Sequence, residues 1–206
     1  MDRRAWDQIV SGAGAVVAVV LLALGAAAIY GGNFGRDNVK DELRPQNITV
    51  APADALTPEE AEVLGQYAGE RVDTGPEAKA YADYINIHLN DPEGSMKGLT
   101  YSEWGAVQGE LRAQIEATDS DDPALADLET ELAAADSARD SVFKGTTLRG
   151  LLLGAYGWWT MSTLALFVGY GLVAGGILLG IFAFFGFRHA RKVSLKVAEK
   201  PAKVAA

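Results

Sequence analysis

Two long apolar runs dominate the pattern of hydrophobic and polar positions along this chain. One extends from Gln8 to Gly35 and the other from Gly150 to Phe187; neither contains a charged residue, and both are bounded by charged residues. About 20 consecutive apolar residues are enough for a helix to cross the hydrocarbon core of a bilayer. The pattern therefore predicts two transmembrane helices, one over residues 6–30 and one over residues 158–187, the second within a segment 148–187 that begins with an interfacial stretch.

Aromatic residues near the ends of these runs indicate where the membrane would meet water. Trp and Tyr favour the headgroup region, because each ring combines an apolar body with a hydrogen-bonding group. The predicted membrane-interface residues are Trp6, Tyr30, Trp158 and Trp159. The apolar residues just before Trp158 are expected either to continue the second helix outward or to lie along the interface.

The first run also has features of a secretory signal peptide. The residues MDRR precede an apolar stretch that contains the small residues GAAA, an order that is typical of such leaders. The uncharged run is, however, well beyond the roughly 7–15 residues of a signal-peptide core. A retained anchor is therefore favoured over a cleaved leader, and either alternative exports the chain that follows.

The polar segment between the runs carries four helix-start signals. Thr57, Thr74 and Thr100 are each followed three residues later by Glu, the spacing of a capping box. The fourth signal is Asp122 directly before Pro123, since proline is favoured in the first helical turn. A small helical domain is therefore predicted between the two spans.

Apolar residues follow each signal at helical intervals, which predicts one buried face for each helix. These faces are Ala61, Leu64 and Ala68; Ala78, Tyr81, Ala82, Ile85 and Leu89; Trp104, Val107, Leu111 and Ile115; and Leu125, Leu128, Leu132, Ala135 and Val142. A short strand at Ile48–Val50 is an additional option. The predicted fold class is an all-α membrane protein in which two transmembrane helices flank a small extracytoplasmic helical domain.

The distribution of charge predicts the orientation of the spans. Residues 33–150 contain 24 Asp and Glu against 10 Lys and Arg, a net charge of −14. Arg3 and Arg4 precede the first span, and the basic residues after the second are Arg188, Arg191, Lys192, Lys196, Lys200 and Lys203. Because cytoplasmic segments carry an excess of Lys and Arg, residues 1–5 and the tail 188–206 are predicted to be cytoplasmic and residues 31–147 extracytoplasmic. The expected location is the plasma membrane.

His88 is the candidate for catalysis or metal binding, because it is the one histidine between the two runs. A metal site needs three or four converging ligands, and the sequence contains neither an H-x-x-x-H nor an H-E-x-x-H spacing. A structural or surface histidine is favoured, over a pH-sensitive contact and a catalytic role. No catalytic residue, cofactor or metal ligand is predicted, and the chain is not expected to be an enzyme.

Glycines in the second run predict close helix packing. Gly171 with Gly175, and Gly176 with Gly180, have the spacing at which small residues let membrane helices approach each other. Packing of the two spans on each other is favoured, with packing against another subunit as the alternative. The expected partners are the lipid bilayer and a membrane protein or a second copy. Nucleic acid is not expected, since the exported segment is acidic.

Three segments, NFGRDNVKDELRPQNITV, VDTGPEAKAYADYINIHL and TYSE, resemble an uncharacterised family of two-span membrane proteins of actinobacteria. The resemblance covers nearly the whole chain, and some members are labelled as aromatic-ring-opening dioxygenases. Iron centres of that kind use two histidines and a carboxylate on one face, whereas the predicted topology separates His88 from His189. The resemblance therefore implies compartment and topology, and implies no activity.

These observations predict a non-enzymatic accessory or scaffolding protein of the bacterial cell envelope. The alternative is a receptor-like or sensor module whose extracytoplasmic domain binds a cation, a peptide or an envelope component. Exposed glycine-rich helix faces would favour the scaffold. A concave exposed patch on the domain, together with a structured tail, would favour the sensor.

Overall fold

Five α-helices make up most of this chain in a computed structural model, which describes residues 3–198 and the side chains of residues 5–192. The helices are α1 (Arg3–Leu43), α2 (Pro58–Leu64), α3 (Gly75–Asn90), α4 (Tyr101–Ala117) and α5 (Ala124–Ala198). Short 3-10 helices occur at Arg44–Gln46, Ala53–Ala55 and Gly65–Tyr67.

The chain divides into two compact units. The helix-pair unit contains α1 up to Arg36 and α5 from Met161 onward, and the inserted unit is Asp37–Thr160. The segments Ala5–Gln46 and Ala124–Lys192 each contain a stretch long and apolar enough to cross a membrane, with mean hydropathies of 2.5 and 2.2. The prediction of an all-helical protein with two long apolar helices that could span a membrane is therefore confirmed.

Both apolar helices are longer than the spans predicted from hydropathy. α1 continues through polar residues to Leu43 and ends before Pro45, where the chain enters a 3-10 turn; a proline disfavours the helical conformation of the residue before it. α5 begins at Ala124 and is unbroken through the residues before Trp158. That stretch therefore continues the helix, as one of the two alternatives expected.

The predicted helix starts in the inserted unit are confirmed. Complete capping boxes form at Thr57, Thr74 and Thr100, before α2, α3 and α4. The Asp122 carboxylate accepts a hydrogen bond of 2.8 Å from the backbone N–H of Ala124 at the start of α5. These contacts satisfy backbone N–H groups that have no partner within the first turn of a helix.

Two hydrophobic clusters form the core of the inserted unit. Their buried residues are Val39, Leu43, Val50, Leu64, Val72, Ala78, Ala80, Ala82 and Leu152 in the first, and Trp104, Leu111, Ala135, Ala138 and Val142 in the second. The predicted faces of α3, α4 and α5 are all buried or partly buried, which confirms them.

The buried face of α2 differs from the prediction. Glu60, with 9% of its surface exposed, and Leu64 are buried, whereas Ala61 is exposed. α2 ends at Leu64 and the chain tightens into the 3-10 turn Gly65–Tyr67. A 3-10 turn has fewer residues per turn than an α-helix. The α-helical spacing that predicted a shared face for Ala61 and Ala68 therefore does not extend to Ala68.

The strand considered at Ile48–Val50 is reduced to an isolated antiparallel bridge between Thr49 and Arg71. Two backbone hydrogen bonds of 2.9 Å accompany it, from Val50 to Glu70 and from Val72 to Ile48. The segment is therefore extended and paired, but too short to form a strand.

Candidate functional site

A seam of small residues joins α1 and α5 within the helix-pair unit. Small residues occupy every seventh position of both helices along this seam: Ser11, Ala18, Gly25 and Gly32 on α1, and Ser162, Gly169, Gly176 and Ala183 on α5. All eight are buried. A seven-residue repeat is typical of two helices that wind around each other with a left-handed twist.

Backbone meets backbone along this seam. A Cβ atom added at Gly25 would lie 2.9 Å from the carbonyl oxygen of Gly169, and one added at Gly169 would lie 2.9 Å from the carbonyl oxygen of Gly25. One added at Gly32 would lie 2.7 Å from the carbonyl oxygen of Ser162. Later residues of α1 therefore contact earlier residues of α5, so the two helices are antiparallel. At these positions any side chain larger than hydrogen would force the helices apart.

The four glycines predicted to pack lie on different faces of α5. A Cβ added at Gly176, a seam residue, would lie 3.1 Å from the Ala18 carbonyl oxygen. One added at Gly180 would lie 3.9 Å from the Ala18 Cβ, so Gly180 also faces α1. Gly171 and Gly175 have no described atom within 4 Å of such a Cβ. Packing of the two spans on each other therefore does not involve Gly171 or Gly175, and their packing against another subunit stays a prediction.

The seam residues Gly25, Gly32 and Gly169 were not predicted. A search for small residues four apart finds glycine pairs on several faces of a helix and does not choose among them. The seven-residue repeat of small residues, which is visible in both helices, is the signal that would have found the contacting face.

The predicted interface aromatics have two kinds of environment. Trp6 and Tyr30 are exposed in the helix-pair unit, and Trp158 is exposed in the inserted unit. Trp159 is instead partly buried against the first hydrophobic cluster. Its side chain contacts Gly75 at the start of α3, and the Lys40 ammonium lies 5.8 Å from its ring centroid, within the range of a cation–π interaction. Trp159 therefore packs α3 onto α5.

His88 contacts an acidic residue on another helix. Its Nε2 atom lies 3.0 Å from Oε1 of Glu60, and its ring makes an edge contact with Tyr84 at a centroid distance of 4.7 Å. The other carboxylate oxygen of Glu60 accepts a 2.8 Å hydrogen bond from the backbone N–H of Thr57. Glu60 thus caps α2 and joins it to the last turn of α3.

The surroundings of Glu60 and Tyr84 shift the pKa values of both side chains. The backbone hydrogen bond from Thr57 holds the pKa of Glu60 below its usual value, and His88 lowers it further, although burial acts in the opposite direction. Burial raises the pKa of Tyr84, and the negative charge of Glu60 raises it further. The capping-box spacing identified Glu60 as a cap, but only the fold brings its free oxygen to His88.

A second polar cluster joins α4 to α5. Gln108, only 3% exposed, donates a 2.5 Å hydrogen bond to Asp136 and accepts one of 2.7 Å from Arg139. The Arg139 guanidinium lies 4.0 Å from the ring centroid of Tyr101. These residues, with Asp140 and Phe143, line an open cavity of about 280 Å³. It is the kind of concave patch that was expected of a sensor domain.

Among the described side chains, no group of three or more His, Asp or Glu lies close enough together to hold a metal ion. Comparison with protein-family models, with curated proteins and with solved structures finds no match to this chain.

The packing of α1 on α5 predicts that a disulfide can form between engineered cysteines at positions 18 and 180. The natural chain has no cysteine, and the Ala18 Cβ lies 3.9 Å from a Cβ built on Gly180, within the range of about 3.5–4.5 Å that disulfides require. We expect the pair Ala18→Cys with Gly180→Cys to form an intrachain disulfide on oxidation with copper phenanthroline. After cleavage of the loop at 91–99, the two fragments should migrate together on a non-reducing gel.

The matched control for this experiment is Ala18→Cys with Gly175→Cys, because position 175 faces away from the seam. Its fragments should separate after cleavage. Equal crosslinking of both pairs would contradict the packing of α1 on α5.

The Glu60 contact predicts an acid-dependent loss of stability. Because the folded-state pKa of Glu60 lies below its ordinary value of 4.5, its contribution is complete above about pH 4.5 and is lost as the pH falls through the folded-state value. Glu60→Gln should lower the free energy of unfolding at pH 7 by about 1 kcal/mol and reduce its decrease at acid pH. The free energy of unfolding and its pH dependence are both measured on the full chain in detergent, by titration with urea and detection of the unfolded fraction by proteolysis.

Glu59→Gln is the control for this prediction, since Glu59 is exposed one position earlier in the same helix. It should leave the acid dependence as in the wild type. An unchanged acid dependence in Glu60→Gln would count against the role of this carboxylate.

Proposed function

We propose that this chain is a non-enzymatic accessory or scaffolding protein of the bacterial cell envelope, which anchors an acidic helical domain to the plasma membrane. The observation that carries the proposal is the backbone-to-backbone seam between α1 and α5. A helix pair joined in this way is a self-contained anchor, since its contacts come from glycine, alanine and serine rather than from charged or metal-binding groups.

The composition of both helices favours anchoring over transport. No charged residue occurs from Gln8 to Gly35 or from Gly150 to Phe187, and ionisable residues inside the membrane usually mark ion pathways and proton relays. Large apolar side chains on the outer faces of the pair are exposed. In the proposed setting these side chains contact lipid.

The charge distribution supports an orientation with both termini in the cytoplasm and residues 31–147 outside. Residues 33–150 have a net charge of −14, and basic residues follow the second span. Residues 1–2 and 199–206, which include Lys200 and Lys203, lie outside the described residues, as do the side chains of Arg3, Arg4 and Lys196.

The resemblance to actinobacterial two-span proteins supports the same arrangement, and we propose that the chain belongs with them.

The face of α5 that carries Gly171 and Gly175 supports a partner within the membrane. These glycines have open space beside them and lie at the four-residue spacing used for close helix contacts. The scaffold would bind a helix of another membrane protein, or of a second copy, along this face.

The sensor remains the second candidate because of the cavity between Tyr101 and Phe143. Both rings are exposed beside the Arg139 guanidinium, so an aromatic and a cationic surface are available together. Such a cavity suits a peptide or an envelope component. The hydrogen bonds that Arg139 and Asp136 make to Gln108 also give this cluster a structural role in joining α4 to α5.

The orientation predicts which positions react from outside the cell. Since the natural chain has no cysteine, single substitutions give a clean readout. Ser120→Cys should react with a membrane-impermeant maleimide in intact cells, and Ser194→Cys only after permeabilisation. The reverse pattern would eliminate the proposed topology.

Partner capture separates the scaffold from the sensor. We expect Gly175→Leu to lose the membrane-protein partner that co-purifies with the full chain in mild detergent, because the larger side chain blocks the open glycine face. Arg139→Gln should retain that partner, which quantitative mass spectrometry of both preparations would establish. Loss of the partner from Arg139→Gln with retention by Gly175→Leu would favour the sensor.

A further inference from the structure

An open cavity of about 600 Å³ lies at the end of the second apolar run, on α5 of the helix-pair unit. Its described lining residues are Phe184, Phe187, Arg188 and Arg191. None of them belongs to the seam or to the polar clusters of the inserted unit. Two aromatic rings and two guanidinium groups thus share one cavity at the point where the apolar sequence becomes basic.

The spacing of these residues places them on one side of the helix. Arg188 follows Phe184 by four residues and Arg191 follows Phe187 by four, and residues three or four apart are neighbours on a helix surface. Phe184 is 61% exposed and Phe187 is 38% exposed. The lining therefore changes along the helix axis from apolar rings to cationic groups.

The cationic end of the cavity suits a phosphate. Guanidinium groups bind phosphate oxygens through paired, charge-assisted hydrogen bonds. Among the described side chains, Arg188 has no carboxylate oxygen within ion-pair distance. No Asp or Glu occurs in α5 from Gly150 to Lys192, so the residues along the helix around Arg188 are not acidic.

The apolar end of the cavity distinguishes a phospholipid from free phosphate. An inorganic ion would leave the Phe184 and Phe187 rings exposed to water. A phospholipid would place its acyl chains against these rings while its headgroup reaches the arginines. Basic pockets at the cytoplasmic ends of membrane helices are suited to anionic headgroups for this reason.

We propose that this cavity binds an anionic phospholipid, with the headgroup phosphate between Arg188 and Arg191 and the acyl chains along Phe184 and Phe187. The proposal rests on the membrane insertion proposed above and adds a defined lipid site to it. It differs from general attraction of a basic tail to the membrane, because it depends on two arginines and not on the total positive charge.

Native mass spectrometry of the full chain tests the proposal, with phosphatidylglycerol and phosphatidylcholine of matched acyl chains as probes. The wild type should retain phosphatidylglycerol preferentially. Arg188→Gln and Arg191→Gln should each weaken its binding about tenfold, the effect expected from loss of a charge-assisted hydrogen bond to the phosphate. Lys192→Gln is the matched control, because it removes the same charge from a neighbouring residue outside the described lining; its effect should not exceed the roughly fivefold of general attraction to an anionic lipid.

Phe184→Ala keeps both arginines and tests the apolar end. It should weaken phosphatidylglycerol binding and leave the binding of inorganic phosphate, titrated separately, unchanged. Equal effects of Lys192→Gln and Arg188→Gln would overturn the defined site. Tight binding of inorganic phosphate would also overturn it, if Phe184→Ala left both phosphate binding and lipid binding unchanged.

Membrane integration of the wild type, measured by alkaline carbonate extraction, separates this proposal from the function it rests on. If the wild type stays in the membrane after carbonate extraction but shows no preference for phosphatidylglycerol, only the lipid site is overturned. Extraction of the wild type by carbonate would overturn both proposals.

Discussion

The contact between the backbones of α1 and α5 is the constraint on which the helix-pair unit depends. At Gly25 and Gly169 each helix occupies the space where a side chain of the other would lie, so the register of the pair follows from where small residues occur. In lipid, burial of apolar surface provides little drive for helix association, and close van der Waals packing must replace it. The seam therefore uses the smallest side chains, while larger apolar side chains face outward.

The inserted unit depends on a different use of local structure. α2, α3 and α4 are short, and each begins at a cap that satisfies otherwise unpaired N–H groups. At Glu60 the same carboxylate that caps α2 also reaches His88 on α3. Glu60, which caps a helix, thus also makes a tertiary contact. This dual use explains why a carboxylate is buried on a face where the apolar pattern predicted alanine.

The groups with binding chemistry lie outside the seam. The cavity beside Arg139 combines aromatic and charged side chains in the inserted unit, and the cavity at Arg188 combines them at the end of the second apolar run. The seam consists of glycine, alanine and serine, and none of its residues is among the described residues that line either cavity. This division of roles is consistent with an anchor that presents binding surfaces.

Local patterns in the sequence were sufficient for the two apolar helices, the capped helix starts and most buried faces, because hydropathy and capping act within a few residues. Only the tertiary structure decided which glycine of α1 meets which glycine of α5, and that Glu60 reaches His88. These outcomes depend on the rotation and register of one helix against another. Neither quantity is encoded in either helix alone, and a one-residue step along α5 turns a side chain by about 100°.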